Sequence, residues 1–250
     1  MPENLSFPRE VCWDTSVATY DADKNRRLKL SSQMKMQQEV GEIHLEECNL
    51  PYAALYEKGI VFVLTRSRAV IYRQPELEEK IRITTWEREC RGVQFFRCYR
   101  FEDAAGNLLI DSSSAFAMVD PVTHKLQRPK AFQELCDVEN KDKETTCPRP
   151  EKIVLPGEMV PMGTRMVRYS DIDYNGHLNN TVYADLLCDF IPGGMGAKQI
   201  REFSLQYVSE AVEGDKLKIS ASETNGFVYL CGEHARGRCF EGSLRFTQKS

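Results

Sequence analysis

The residues best placed to do chemistry are Ser170 to Asn180, SDIDYNGHLNN, just ahead of a run that reads as an amphipathic helix from about Asn180. Carboxylate, amide and imidazole crowd one short segment. The first turn of a helix leaves backbone N–H groups unpaired and carries the positive end of the dipole, so a developing oxyanion is favoured beside it. Asp171, Asn175 and Asn179 or Asn180 each suit an ordinary turn or helix cap as well. With His177 among them, the group as a whole points to catalysis. The segment DIDYNGHLNNTV also approaches the calcium loop D-x-[DN]-x-[DN]-G-x5-E, with Asp171, Asp173, Asn175 and Gly176 in place. Its last position is Val182, so the bidentate carboxylate is missing. The run before it, Arg165 to Tyr169, reads as a strand where such a loop requires a helix.

Two sets of elements surround this segment. In the first half a short strand-like run, Ser16 to Tyr20, precedes a helix from about Leu28 to Glu47, with Met36, Val40 and Ile43 at i, i+4 and i+7. Strand-like runs follow at Ile60 to Tyr72, Lys80 to Trp86, Gly92 to Glu102 and Leu108 to Val119. A polar stretch holding Pro148, Pro150, Pro156 and Pro161 then reads as a linker over 139–162, separating halves at 1–138 and 163–250. Beyond it come the strand at Arg165, the loop, and a helix with Tyr183, Leu186, Leu187 and Phe190, stopped by Gly193-Gly194. Further strands are expected at Glu202 to Ser209, Lys216 to Ser222, Phe227 to His234 and Ser243 to Gln248.

The halves therefore share one plan, and their residues align in two registers. At an offset of 150, Asp21, Asp23, Asn25 and Leu28 lie over Asp171, Asp173, Asn175 and Leu178. At an offset of 136, Glu79-Lys80-Ile81-Arg82-Ile83 lies over Asp215-Lys216-Leu217-Lys218-Ile219, which places Gln74 over Glu210. An internal repeat is the reading.

Composition sets outer limits. The chain has 250 residues, 42% of them hydrophobic and 28% charged, enough apolar surface for a folded core. The longest apolar stretch, Ile60 to Leu64, is far below a membrane span, and the net charge of -4 argues against nucleic acid. Nine Cys, an odd number with no CxxC, suggest neither a disulfide framework nor a zinc ribbon. With no basic-then-apolar order near the start, a cytoplasmic location is expected.

The sequence resembles the plant-type fatty acyl-acyl-carrier-protein thioesterases, a family with bacterial members. The shared features are Arg26-Arg27-Leu28-Lys29-Leu30, Val63-Leu64-Thr65-Arg66, Tyr72-Arg73, Thr84-Thr85-Trp86, Leu126-Gln127-Arg128-Pro129 and, most specifically, the D-x-N-x-H-x-N-N block from Asp173. The resemblance implies an α+β protein of two tandem hotdog folds, each an antiparallel sheet wrapped around a long helix. It implies catalytic roles for Asp173, Asn175, His177 and the acid after a Tyr-Arg-Arg strand motif, here Glu210 in Tyr207-Val208-Ser209-Glu210-Ala211. The family's neighbouring Cys is replaced by Ala211. Without a thiol there, a papain-like route has no nucleophile, and Cys188 reads as a small apolar residue packed in the helix. Water attack remains, with Glu210 as general base assisted by His177, and Asn175 and the helix amides holding the thioester carbonyl. Base and carbonyl holder are interchangeable at this level.

No cofactor or metal is implied. The partner implied is acyl-carrier protein, whose acidic surface would meet a local basic cluster such as Arg26, Arg27 and Lys29, or Lys125, Arg128 and Lys130. A homodimer is compatible with the sequence. A hotdog hydratase and a non-catalytic acyl-binding hotdog are the alternatives. The N-terminal half carries Arg27 and Gln74 at the positions of His177 and Glu210, and neither acts as a base at neutral pH. That half is expected to be a non-catalytic copy forming the acyl pocket around Met34, Met36 or Val63. Because Val182 cannot complete a calcium shell, turnover in excess chelator should match turnover in added calcium. Loss of activity on chelation would make Asp171, Asp173 and Asn175 ligands.

Overall fold

A computed structural model describes residues 7–136, 138–140 and 142–247. The first half runs β1 (Glu10–Ser16), α1 (Leu30–Glu47), α2 (Tyr52–Glu57), β2 (Val61–Ile71), β3 (Lys80–Arg91), β4 (Gln94–Asp103), β5 (Leu108–Val119) and a short α3 (Lys130–Gln133). The second runs β6 (Val160–Met166), a 3-10 turn at Tyr169–Asp171, α4 (Val182–Asp189), β7 (Ile200–Tyr207), β8 (Lys216–Thr224), β9 (Phe227–His234) and β10 (Gly237–Phe246). This is the tandem hotdog architecture, α+β, with α1 and α4 packed on the inner face of antiparallel sheet.

The two sheets are fused into one of ten strands, ordered β1-β3-β4-β5-β2-β7-β10-β9-β8-β6. From either edge the order within a half is first, third, fourth, fifth, second. The seam is the antiparallel pair β2–β7, where Arg66 faces Gln206, Arg68 faces Ser204 and Val70 faces Glu202. Arg68 and Ser204 stand 136 residues apart, the offset of the second repeat register, so each seam strand meets its own counterpart about a local two-fold.

One apolar cluster runs through both halves, from Met34, Val40, Ile83 and Phe101 to Leu187, Phe203 and Phe240. A second lies under α2 and α3, where Phe62, Phe95 and Phe132 meet edge to face with centroids 5.0 to 5.7 Å apart. Between the clusters, Arg97 donates to Glu87 Oε1 at 2.7 Å and to His44 Nδ1 at 2.8 Å, while His44 Nε2 donates to the Pro8 carbonyl. Those bonds require the neutral imidazole with its proton on Nε2. Burial pushes the Glu87 carboxyl up and the Arg97 guanidinium opposes it.

Several boundaries differ from the sequence reading for local reasons. The first strand is Glu10–Ser16; Val17 pairs instead with Glu78 and Glu79 to close a loop. Pro51 opens α2, which the reading passed over. In the second half the helix is eight residues, not a long one. It starts late because Asn179 Oδ1 takes the Thr181 amide and hydroxyl, and it stops early because Pro192 disfavours helical Ile191. The last strand ends at Phe246, and Gln248 lies outside the described residues. The described residues of 138–159 form no helix or strand, and β6 begins at Val160, within the stretch read as linker. Part of that stretch is pinned to the sheet: buried Asp111 accepts from Thr145 Oγ1 and from the Thr146 amide and hydroxyl at 2.6 to 2.9 Å.

The short α4 is held by close approach to β10. A Cβ built on Gly242 would lie 2.3 Å from Cδ2 of fully buried Leu187. Gly242→Ala should therefore lift α4 off the sheet and destabilise the protein by about 1 to 3 kcal/mol in urea or thermal unfolding. Unchanged stability would mean that Leu187 has room to turn away.

Candidate active site

Two loops build the site, each anchored by its own backbone. Asp173 N donates to the His177 carbonyl and Gly176 N to the Asp173 carbonyl, closing a tight loop with Gly176 at φ 81°. Asp173 Oδ1 accepts the Asn175 amide at 2.9 Å and the His177 amide at 3.3 Å. The carboxylate thus shapes the loop through backbone N–H groups. The same pattern recurs in the N-terminal half: Asp23 Oδ1 accepts the amides of Asn25 and Arg27, and Arg26 takes a positive φ of 63°. Loop shaping by this aspartate is therefore independent of a histidine in the loop.

The second loop follows β7. Leu178 N donates to the Ala211 carbonyl at 2.8 Å, and Tyr207 donates its hydroxyl to the Asn180 carbonyl at 2.9 Å, so both loops are sewn together. The matching bond in the first half joins Leu28 N to the Pro75 carbonyl. On this base His177 Nε2 lies 3.1 Å from Glu210 Oε2. The Glu210 side chain is 70% exposed and that of His177 37%, so water reaches the pair. The Glu210 carbonyl accepts from His234 Nε2 at 2.9 Å and from Arg236 at 3.3 Å, and Arg236 is itself held by Asp215. His234 and Arg236 escaped the sequence reading, since β9 and its turn carry no motif that announces them.

The remaining predicted residues are distributed unequally. Asn175 is exposed and lines a cavity with Asp173 and Tyr174. Asn179 spends its carbonyl oxygen on Thr181, and its backbone carbonyl accepts from Val182, so those two amides are not open to a substrate oxygen. Asp171 is occupied by the Arg165 guanidinium at 2.8 and 2.9 Å and by the Arg168 amide. A cation already sits where the calcium loop would begin. Cys188 is half-buried in α4, and burial pushes its thiol up to about 12, away from the thiolate a nucleophile needs.

The cavity measures about 420 Å³ and lies between the two apolar clusters. One face of α1 walls it with Met34, Gln37, Gly41 and Leu45, strands of the first half add Phe62 and Phe95, and the loop from Asp173 to Thr181 closes it. Of the residues named from sequence as pocket wall only Met34 reaches it: Met36 packs in the core and Val63 is exposed, while its neighbours Phe62 and Leu64 face the cavity. Lys29 and Lys130 of the two basic clusters are spent locally, on the Tyr20 carbonyl and on Glu134. A separate cleft of about 620 Å³ gathers Arg66, Arg88, Arg91, Arg149 and Lys152, brought together from β2, β3 and the linker. Their separation in the chain hid them from a reading of local charge.

A paired hotdog with a histidine and a carboxylate in its second half is the class that this fold and site define. The chain belongs to the acyl-ACP thioesterase family: its N-terminal domain model matches residues 12–136 and its C-terminal domain model residues 161–237. The palmitoyl-acyl carrier protein thioesterase, chloroplastic, of Arabidopsis thaliana is 21% identical over 214 residues, covering 78% of this chain and 50% of that protein. The chain spans about half the length of the first curated relatives it matches. An acyl-ACP thioesterase structure from Bacteroides thetaiotaomicron aligns with a TM-score of 0.85 at 22% identity, covering 96% of this chain and 98% of that one. The 12:0-ACP thioesterase of Umbellularia californica aligns with a TM-score of 0.79 at 15% identity, over 96% of this chain and 98% of that one. At such identities the structures speak for the fold.

Either His177→Ala or Glu210→Ala should lower turnover of an acyl thioester by about 100- to 10,000-fold while leaving the melting temperature nearly unchanged. Cys188→Ala should retain turnover. Near-normal rates in the first two, or loss in the third, would overturn the assignment.

Proposed function

We propose that the protein hydrolyses fatty acyl-acyl-carrier-protein thioesters, releasing the free fatty acid and ending chain elongation. The observation that carries this reading is the water-accessible His177–Glu210 contact of 3.1 Å, set on the loop that also closes the cavity. In the reaction Glu210, paired with His177, takes a proton from water as the oxygen attacks the thioester carbon. The tetrahedral oxyanion forms beside Asn175, and its collapse breaks the C–S bond and expels the carrier thiolate, which takes up the proton that Glu210 removed from water, relayed through His177 across their 3.1 Å contact. Asp173 holds the loop that presents His177 and Asn175. No metal or cofactor enters the scheme.

The halves divide the labour in this reading: residues 1–138 enclose the acyl chain, 139–162 connect, and 163–250 carry the chemistry. Gln74, which matches Glu210, donates its amide to the Leu28 carbonyl and so serves structure. The cleft of Arg66, Arg88, Arg91, Arg149 and Lys152 sets five cations against Glu89, which pairs with Arg88, Arg91 and Arg149, and against Glu151, and the positive excess offers the acidic carrier a more concentrated surface than either cluster picked from the sequence. Among the described residues no helix is long and apolar enough to cross a membrane. We assign the enzyme to the cytoplasm, and a homodimer belongs to the same proposal.

Incubation with a ladder of acyl-acyl-carrier-protein thioesters, followed by free-thiol release, tests the activity. Absence of release at every length would refute it. Met34→Ala and Leu64→Ala should shift the preferred length, since one methylene in a pocket is worth about 1 to 3 kcal/mol of discrimination. Changes at Tyr183, which packs in the core away from the cavity, should leave that preference in place. An unchanged profile in the first pair would move the pocket elsewhere.

A further inference from the structure

A cavity built only for an alkyl chain has no use for unpaired polar groups, because each one buried without a partner carries a penalty. This cavity has such a group. Gln37 is 3% exposed and lines the wall, and its Nε2 is buried with no hydrogen-bond partner. Three other polar groups of the wall are spoken for: Ser67 and Ser114 share a 2.7 Å bond, and Arg97 is held by Glu87 and His44.

One turn along the same face of α1 stands Gly41, an unfavourable residue inside a helix. A Cβ there would lie 3.9 Å from the Tyr99 hydroxyl and 3.9 Å from Arg97 Cδ. An alanine would fit without a clash, so packing alone does not require glycine. What glycine provides is open space between the helix and the Tyr99 hydroxyl, next to the unpaired amide. Tyr99 is itself 3% exposed and lines the cavity.

We propose that this wall is a polar station for an oxygen carried on the acyl chain, a hydroxyl or oxo group that accepts from Gln37 Nε2 and lies against Tyr99 in the space left by Gly41. The inference rests on the reading of the cavity as the acyl pocket, and it makes Gln37 a specificity-determining residue. A site built to hydrogen-bond an oxygen discriminates against the chain that lacks it far more strongly than an apolar pocket discriminates by length.

The test uses the full chain and acyl-acyl-carrier-protein thioesters of one length, plain or bearing a hydroxyl or an oxo group at successive positions. At one position kcat/KM should exceed that of the plain chain by about tenfold or more, and the hydroxyl and oxo arms identify which oxygen is preferred. Gln37→Leu should bring that ratio close to one. Tyr99→Phe and Gly41→Ala should lower it, and they stand in if Gln37→Leu does not fold. Displacement of a fluorescent fatty acid probe by the corresponding free acids repeats the comparison without hydrolysis. If nothing is hydrolysed but one oxygenated acid binds tenfold tighter in a Gln37-dependent way, the proposed activity fails and the polar station stands. Preference for the plain chain at every position, or a ratio unmoved by Gln37→Leu, overturns it.

Discussion

The backbone pairing of β2 with β7 is the constraint on which the rest depends. Each of these strands would otherwise be the edge of a five-stranded sheet, with a row of unpaired N–H and C=O groups. Pairing them about Arg68 and Ser204 satisfies both edges together and sets α1 and α4 beside each other on one face. It also fixes which loop meets which cavity. The loop from Asp173 to Thr181 belongs to the second half, yet it closes a space walled largely by the first. A slip of the seam by one residue would turn alternate side chains to the wrong face and part that loop from its cavity.

Within this frame, polarity and position divide sharply. His177 and Glu210 sit where water reaches them, as the proposed hydrolysis requires, while the substrate chain would lie in a protected space a few residues away along the same loop. The Glu210 backbone is held by His234 and Arg236, so its carboxylate is exposed without being free to wander far from His177. Around the cavity Ser67 and Ser114 bond each other, and Arg97, Glu87 and His44 form a tied set. That network costs desolvation and repays it in hydrogen bonds, which gives the cavity a fixed shape.

Much of this was legible from residues alone. The two repeat registers correspond to matched hydrogen bonds: Leu28 N to Pro75 and Leu178 N to Ala211 differ by 150 at one end and 136 at the other. Strands β5 and β9 have the bounds of the strand-like runs read at Leu108 to Val119 and Phe227 to His234. The loop carrying Asp173, Asn175 and His177 announced itself by density, and Glu210 came from the resemblance. The geometry adds the 3.1 Å contact with His177, a distance that a sequence does not contain. What stayed hidden was long-range: a basic cleft assembled from three distant segments, and a cavity whose walls alternate with the core. Met36 and Met34 are two residues apart on α1 and both pack in the core, yet only Met34 also reaches the cavity, because the crossing of α1 over the sheet decides it. Helix length in the second half was missed for a local reason, Asn179 and Pro192 each claiming a turn.

The linker held to Asp111 has a further consequence. Two separate chains pairing along an edge strand must find each other at whatever concentration the cell provides, whereas tethered halves meet at an effective concentration in the millimolar range. The seam can then be maintained with fewer apolar contacts than a free dimer would require. It also always joins unlike partners, a first half to a second. Under that rule a change that would have to be tolerated twice over in a symmetric pair is felt only once. One copy is at liberty to lose its acid and its histidine, and the other to give up a long helix, while the joint assembly keeps one complete site.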